Sequence, residues 1–64
     1  MTRIRRGGYI FVTWIGDHEP RNVHVMDGVK FVLKWNLETD EPMEGVPTRK
    51  IQRLIRELIK EGRL

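Results

Sequence analysis

Two histidines, His18 and His24, lie close together in the stretch DHEPRNVHV, which joins two apolar segments. Imidazoles beside the carboxylate of Asp17 could hold a metal ion or move a proton, because neutral imidazole binds metals and titrates near neutrality. The His-x5-His spacing fits no standard metal motif, and the chain has neither cysteine nor serine for a nucleophilic site. We therefore predict no metal, no cofactor and no nucleophilic triad. For His24, a half-buried structural histidine and a general acid or base both remain open.

A second group of chemically useful residues is a set of bases near the C-terminus. Their spacing of i, i+4, i+7, i+11 and i+14 places them on one side of a helix, opposite its apolar side. We call this set the basic stripe; it comprises Arg49, Arg53, Arg56, Lys60 and Arg63. Three interpretations are open: a solvated helix face, a partner for the acidic segment 36–47 of a neighbouring subunit, or a contact surface for the phosphates of RNA or DNA. Arg3, Arg5 and Arg6 could extend it.

Three strands and one helix are predicted to position these residues. Residues 9–15 are β-branched and aromatic, residues 23–26 resemble a second strand, and residues 29–37 alternate apolar and polar types. "RRGG" marks a break before the first strand, and Asp27-Gly28 indicates a type I′ hairpin turn. Thr48 is a suitable N-cap and Gly62 a suitable C′ residue for an amphipathic helix between them. The predicted fold is a single α+β domain over residues 1–64, a three-stranded antiparallel sheet (β-β-β-α) with the C-terminal helix packed on one face.

The predicted hairpin register decides which way His24 points. If Met26 pairs with Val29, His24 lies opposite Phe31, on the helix-covered face and near its edge. One helix covers one face, so the other face would be open and apolar. The predicted open face is lined by Ile10, Val12, Trp14, Val23, Val25 and Val32. We therefore expect a homodimer or a small protein partner.

Composition sets broad limits on the class of protein. The chain has 64 residues, a net charge of +3 and 33% charged residues with few amides, a composition seen in thermophile proteins. No signal peptide is visible, and the apolar run after the basic start is too short to cross a bilayer. We expect a cytoplasmic protein with no membrane contact.

The loop DHEPRNVHV, followed by a hairpin and an amphipathic helix, resembles the small prokaryotic family catalogued as domain of unknown function 4160. The similarity covers about residues 8 to 62, and its distinctive positions are Asp17, His18, Pro20, His24 and Val25. Arg21 and Asn22 depart from the family pattern, which has proline and histidine there. If the family binds a metal through its His-x-His pair, this chain lacks one ligand.

The family has no established activity, but its members resemble the compact modules of toxin–antitoxin loci. Three hypotheses follow. The chain is a non-enzymatic module that touches RNA or DNA through the basic stripe, a small RNA-cleaving toxin that uses His18 or His24, or an antitoxin-like partner that binds protein through its open sheet face. The first is our leading expectation.

Overall fold

The computed structural model describes residues 1–14 and 20–64. In these residues the chain forms a five-stranded antiparallel sheet, whose strand order follows the chain, and one C-terminal helix. The elements are β1 Thr2–Arg6, β2 Tyr9–Thr13, β3 Asn22–Asp27, β4 Lys30–Asn36, β5 Glu41–Gly45 and α1 Arg49–Lys60. The α+β class and the helix-covered sheet are confirmed. The prediction of three strands is wrong, because one strand is added at each edge.

The first added strand is joined to β2 by a two-residue turn. Gly7 and Gly8 have φ values of 62° and 86°, and Arg6 pairs with Tyr9 across them. Positive φ at both central positions is what a type I′ hairpin turn requires. The glycine pair therefore connects two strands, where the sequence predicted a break.

The second added strand, β5, is an exposed edge strand. All of its residues are exposed, and Pro42 lies within it. An edge strand tolerates a proline, because one of its sides needs no ladder hydrogen bond. A four-residue loop leads into it, where Asn36 Oδ1 accepts hydrogen bonds from the backbone of Glu38 and Thr39 at 2.8 and 3.1 Å.

The hydrophobic core lies between the sheet and α1. It contains Ile4, Phe11, Val23, Val25, Leu33 and Trp35 from the strands, with Ile51, Leu54, Ile55 and Leu58 from the helix. The predicted helix limits are confirmed: Thr48 Oγ1 accepts a hydrogen bond from the Ile51 amide at 3.2 Å, and Gly62 has a φ of 77°. Burial of these four apolar helix residues against the sheet is the main stabilising contribution for so small a domain.

The register between β3 and β4 reverses the predicted orientation of His24. The turn residues are Gly28 and Val29, so Asp27 pairs with Lys30, and a β-bulge leaves Val32 unpaired. Beyond that bulge His24 pairs with Lys34 rather than Phe31. An extra residue in one strand moves the following side chains to the opposite face.

Several predicted face assignments are corrected by this bulge. We call the sheet face opposite α1 the open face; it carries Ile10, Val12, Trp14, His24 and Met26. Val23 and Val25, which we predicted to lie there, are fully buried in the core. Val32 is half-buried against the core.

Candidate nucleic-acid interface

Four members of the basic stripe lie together along the outer side of α1. Arg49, Arg53, Arg56 and Lys60 line an open groove of about 590 Å³ with Gln52 and Glu57, which we call the helix groove. The helical repeat of 3.6 residues explains this grouping, since positions three, four and seven apart share one side. The arrangement can hold anionic groups along one edge of the molecule.

Arg63 does not join that group. The helix ends at Lys60, and Gly62 turns the chain so that the Arg63 amide donates to the Leu58 carbonyl at 2.8 Å. This closing hydrogen bond, with Gly62 donating to Ile59, forms a Schellman motif. Arg63 instead borders a separate depression beside Thr13 and Trp14.

Two stripe arginines make long ion pairs within the chain. Arg53 Nε lies 3.6 Å from Glu57 Oε2, and Arg56 Nη2 lies 3.7 Å from Asp40 Oδ2. The acidic segment therefore reaches the basic stripe of its own chain through Asp40. Pairing with a neighbouring subunit was one of the three interpretations that the sequence left open. In residues 1–14 and 20–64, Arg49 and Lys60 form no ion pair. These two cations are the least compensated charges of the helix groove.

The N-terminal arginines, which the sequence allowed as an extension of the basic stripe, do not line the helix groove. Arg6 forms a bidentate hydrogen bond to Glu61, with Nη1 and Nη2 donating at 2.9 and 2.8 Å. This bond lowers the pKa of the Glu61 carboxyl and ties the first hairpin to the end of the helix. Arg3 and Arg5 pair with Val12 and Ile10 and so lie on the open face, because side chains alternate along a strand.

His24 sits on the open face between two aromatic rings. Its ring centroid is 4.7 Å from that of Trp14 and 6.0 Å from that of Phe31, both edge-to-face. Its Nδ1 is buried and has no hydrogen-bond partner among the described residues. Burial lowers the pKa of His24, the charge of Lys34 lowers it further, and Glu44 opposes this. The lowered pKa favours the neutral form of His24 at pH 7. The single hydrogen bond expected for it as a structural residue is absent at Nδ1 among the described residues.

The remaining loop positions are described only in part. Asp17 and His18 lie outside the described residues, as do Ile15 and Gly16 at the end of the first predicted strand. Pro20 is exposed, and its carbonyl accepts a hydrogen bond from Asn22 Nδ2 at 2.9 Å. Asn22 is thus tied to the backbone of the loop.

We expect the free energy of unfolding to fall as the pH drops below about 6.5, the ordinary pKa of histidine. The pKa of His24 is lower in the folded state, so the unfolded chain takes up the proton first. The contribution of the neutral His24 to the free energy of unfolding is complete above the pKa of the unfolded state. It is lost as the pH falls towards the pKa of the folded state. Urea unfolding at about pH 8, 7, 6 and 5 measures this slope.

The matched variants for this measurement are His24→Gln and His18→Gln, each of which removes one histidine. The slope between pH 7 and about pH 5 should flatten in the first and persist in the second. Equal slopes in wild type and His24→Gln would show that His24 does not control it. Protonation of the Glu61 carboxyl affects the free energy of unfolding only at lower pH, since its pKa lies below its ordinary value of 4.5.

Comparisons of the chain with protein-family models, with curated proteins and with solved structures found no match. Across the described ranges, no cluster of three or more histidine, cysteine or acidic residues could hold a metal ion. The same part of the chain has no helix long and apolar enough to cross a membrane. The resemblance to domain of unknown function 4160 remains a prediction based on the residues of the loop.

Proposed function

We propose that this chain is a non-enzymatic binding module that contacts the phosphates of RNA or DNA through the helix groove. The observation that carries the proposal is the pair Arg49 and Lys60, exposed at the two ends of the groove and without an ion pair in the described residues. They are eleven positions apart, about 16 Å along the helix, which is enough to contact several phosphates. Arg53 and Arg56 lie between them and can exchange their long ion pairs for phosphate.

The proposed contact is electrostatic and largely independent of base sequence. Arginine and lysine that neutralise phosphates release condensed counterions, so the affinity falls steeply with salt. No aromatic residue is among those that line the helix groove. Binding should therefore follow charge density rather than sequence.

Neutralising Arg49 and Lys60 tests this proposal. We expect Arg49→Gln/Lys60→Gln to weaken binding to a short RNA duplex about tenfold or more at low salt, with the slope of log K against log salt reduced by about 1 to 2. Fluorescence anisotropy over a salt series provides both values. Neither substitution breaks an ion pair of the described residues, so the melting temperature should be unchanged.

The matched control is Arg21→Gln/Lys30→Gln, which removes the same charge from positions outside the helix groove. If affinity depends only on the net charge, both double variants will weaken binding equally, and the helix groove is then not the binding surface. If the wild-type protein binds neither RNA nor DNA at low salt, the proposal is wrong.

The alternative of an RNA-cleaving toxin gains no support from the position of His24. The helix groove and His24 lie on opposite sides of the sheet, in a molecule whose smallest dimension is 20 Å. A phosphate held by the groove is therefore beyond hydrogen-bond reach of that imidazole. The toxin–antitoxin association stays a hypothesis from the family resemblance.

A further inference from the structure

One row of paired side chains crosses all five strands of the open face. Its members, in order from β1 to β5, are Arg3, Val12, His24, Lys34 and Glu44. Successive register partners point to the same face of a sheet. The row begins with the cation Arg3 on one edge strand and ends with the anion Glu44 on the other, with Lys34 beside that anion. The two edge strands of the open face therefore carry opposite charges in this row.

The middle of the open face is apolar and partly uncovered. Trp14 on the β2 side is 50% exposed and Phe31 on β4 is 40% exposed. Ile10 pairs with Met26, and Met26 pairs with Phe31, so these three side chains form a second row beside the charged one. A shallow groove of about 450 Å³ follows this apolar surface. Contiguous exposed apolar surface with a polar rim is typical of an interaction site.

We propose that the open face binds the open face of a second copy of this chain, about a two-fold axis parallel to the strands. That rotation places β1 of one copy opposite β5 of the other, β2 opposite β4, and β3 opposite β3. Arg3 then faces Glu44 of the second copy, Ile10 faces the second copy's Phe31, and the two Met26 side chains meet near the axis. The result is a four-layer α/β/β/α dimer.

The polarity of the face selects this axis. A two-fold axis perpendicular to the strands would place β1 over β1, with Arg3 and Arg5 against the same arginines of the second copy. Like charges in contact across an interface are costly. The parallel axis instead converts the edge-to-edge polarity into two symmetric opposite-charge contacts.

The size of the molecule sets the strength of the contact. The two largest dimensions are 28 and 24 Å, so a face covers on the order of 600 Å² and a dimer buries about 1,200 Å² in total. This is the lower end of specific interfaces, and we expect a Kd in the micromolar range. Both helices stay outside, so the dimer does not depend on the proposed nucleic-acid contact, and the failure of one proposal leaves the other standing.

Sedimentation velocity over a concentration series tests the dimer. Trp14→Ala should weaken self-association about tenfold or more, because tryptophans that become buried in an interface are frequent hot spots. Arg3→Glu and Glu44→Arg should each weaken it about tenfold, since each creates two like-charge contacts. An equimolar mixture of these two charge variants should recover dimer, as both cross-copy contacts then pair opposite charges.

The mixture result is independent of any effect of Glu44→Arg within its own chain, next to Lys34. Arg49→Gln/Lys60→Gln serves as the matched control and should associate like the wild type, with circular dichroism confirming that all variants fold. A wild-type protein that stays monomeric at millimolar concentration would overturn the proposal. Charge variants that dimerise like the wild type would overturn it as well. A third contrary result would be a protein that does not self-associate but whose Trp14 fluorescence is quenched by a deoxythymidine decamer, because the open face would then bind nucleic acid instead of a second copy.

Discussion

Replacing Phe11 with alanine is expected to leave about half or more of the protein molecules unfolded at room temperature. Phe11 is fully buried in the central part of the core, and it pairs with Ile4 on β1 and with Val25 on β3. Truncating a buried phenylalanine costs about 3 to 5 kcal/mol, from lost transfer free energy and from the cavity left behind. A domain of this length has about 3 to 5 kcal/mol of total stability. The loss therefore equals the whole stability of the fold.

The matched variant is Ile10→Ala, one residue earlier on the same strand. Ile10 is half-buried on the open face, so its truncation should cost about 1 kcal/mol at protein concentrations below the expected dimer Kd. Urea unfolding followed by the fluorescence of buried Trp35 and by circular dichroism measures both. A Phe11→Ala protein as stable as Ile10→Ala would mean that the two faces of β2 are wrongly assigned.

The helix could be predicted from sequence because its signals are local. The apolar spacing from Ile51 to Leu58, the N-cap Thr48 and the C′ residue Gly62 all act within a few residues of the chain, and the structure shows each of them. Helix period and caps require no knowledge of what packs against the helix. The grouping of four stripe residues followed from the same periodicity, and Arg63 was lost from it because Gly62 ends that periodicity.

The two edge strands carried no such local signal. β5 has no buried residue, and Ile4 is the one buried side chain of β1. Alternation of apolar and polar types appears only where one face of a strand is buried, so an edge strand of charged residues resembles a loop. The pairing of β1 is set by the turn at Gly7 and Gly8. A glycine pair is typical both of a break between elements and of a hairpin turn, so the sequence does not distinguish the two.

The orientation of His24 depended on one unpaired residue. A shift in turn position alone would have left His24 opposite Leu33, on the covered face, but the bulge at Val32 adds one more step and pairs it with Lys34. Both registers place β-branched residues in the sheet, so neither composition nor periodicity distinguishes them. The polarity of the open face could not be seen from the sequence either, since it needs β1, β5 and this register together.

Gly45→Ala is expected to destabilise the protein strongly, through a backbone collision rather than through loss of core packing. Gly45 ends β5 with a φ of 84°, and an added Cβ would collide with the carbonyl oxygen of Val32 and lie 3.0 Å from the Leu33 Cα. Both obstacles are backbone of β4, which cannot turn aside as a flexible side chain would. Positive φ alone costs a residue other than glycine about 1 to 2 kcal/mol, and the collision adds to it.

Gly8→Ala separates those two contributions, because Gly8 also has a positive φ, 86°, but no atom within 4 Å of the added Cβ. We expect about 1 to 2 kcal/mol for Gly8→Ala and about 2 to 4 kcal/mol for Gly45→Ala. The upper value is limited by detachment of β5, which buries no side chain and can leave the sheet while the core stays formed. Hydrogen exchange should then show early loss of protection in β5 and retained protection at Phe11 and Val25. Equal costs for the two variants would show that β4 yields to the added methyl group, and that the close approach at Gly45 does not hold β5 in place.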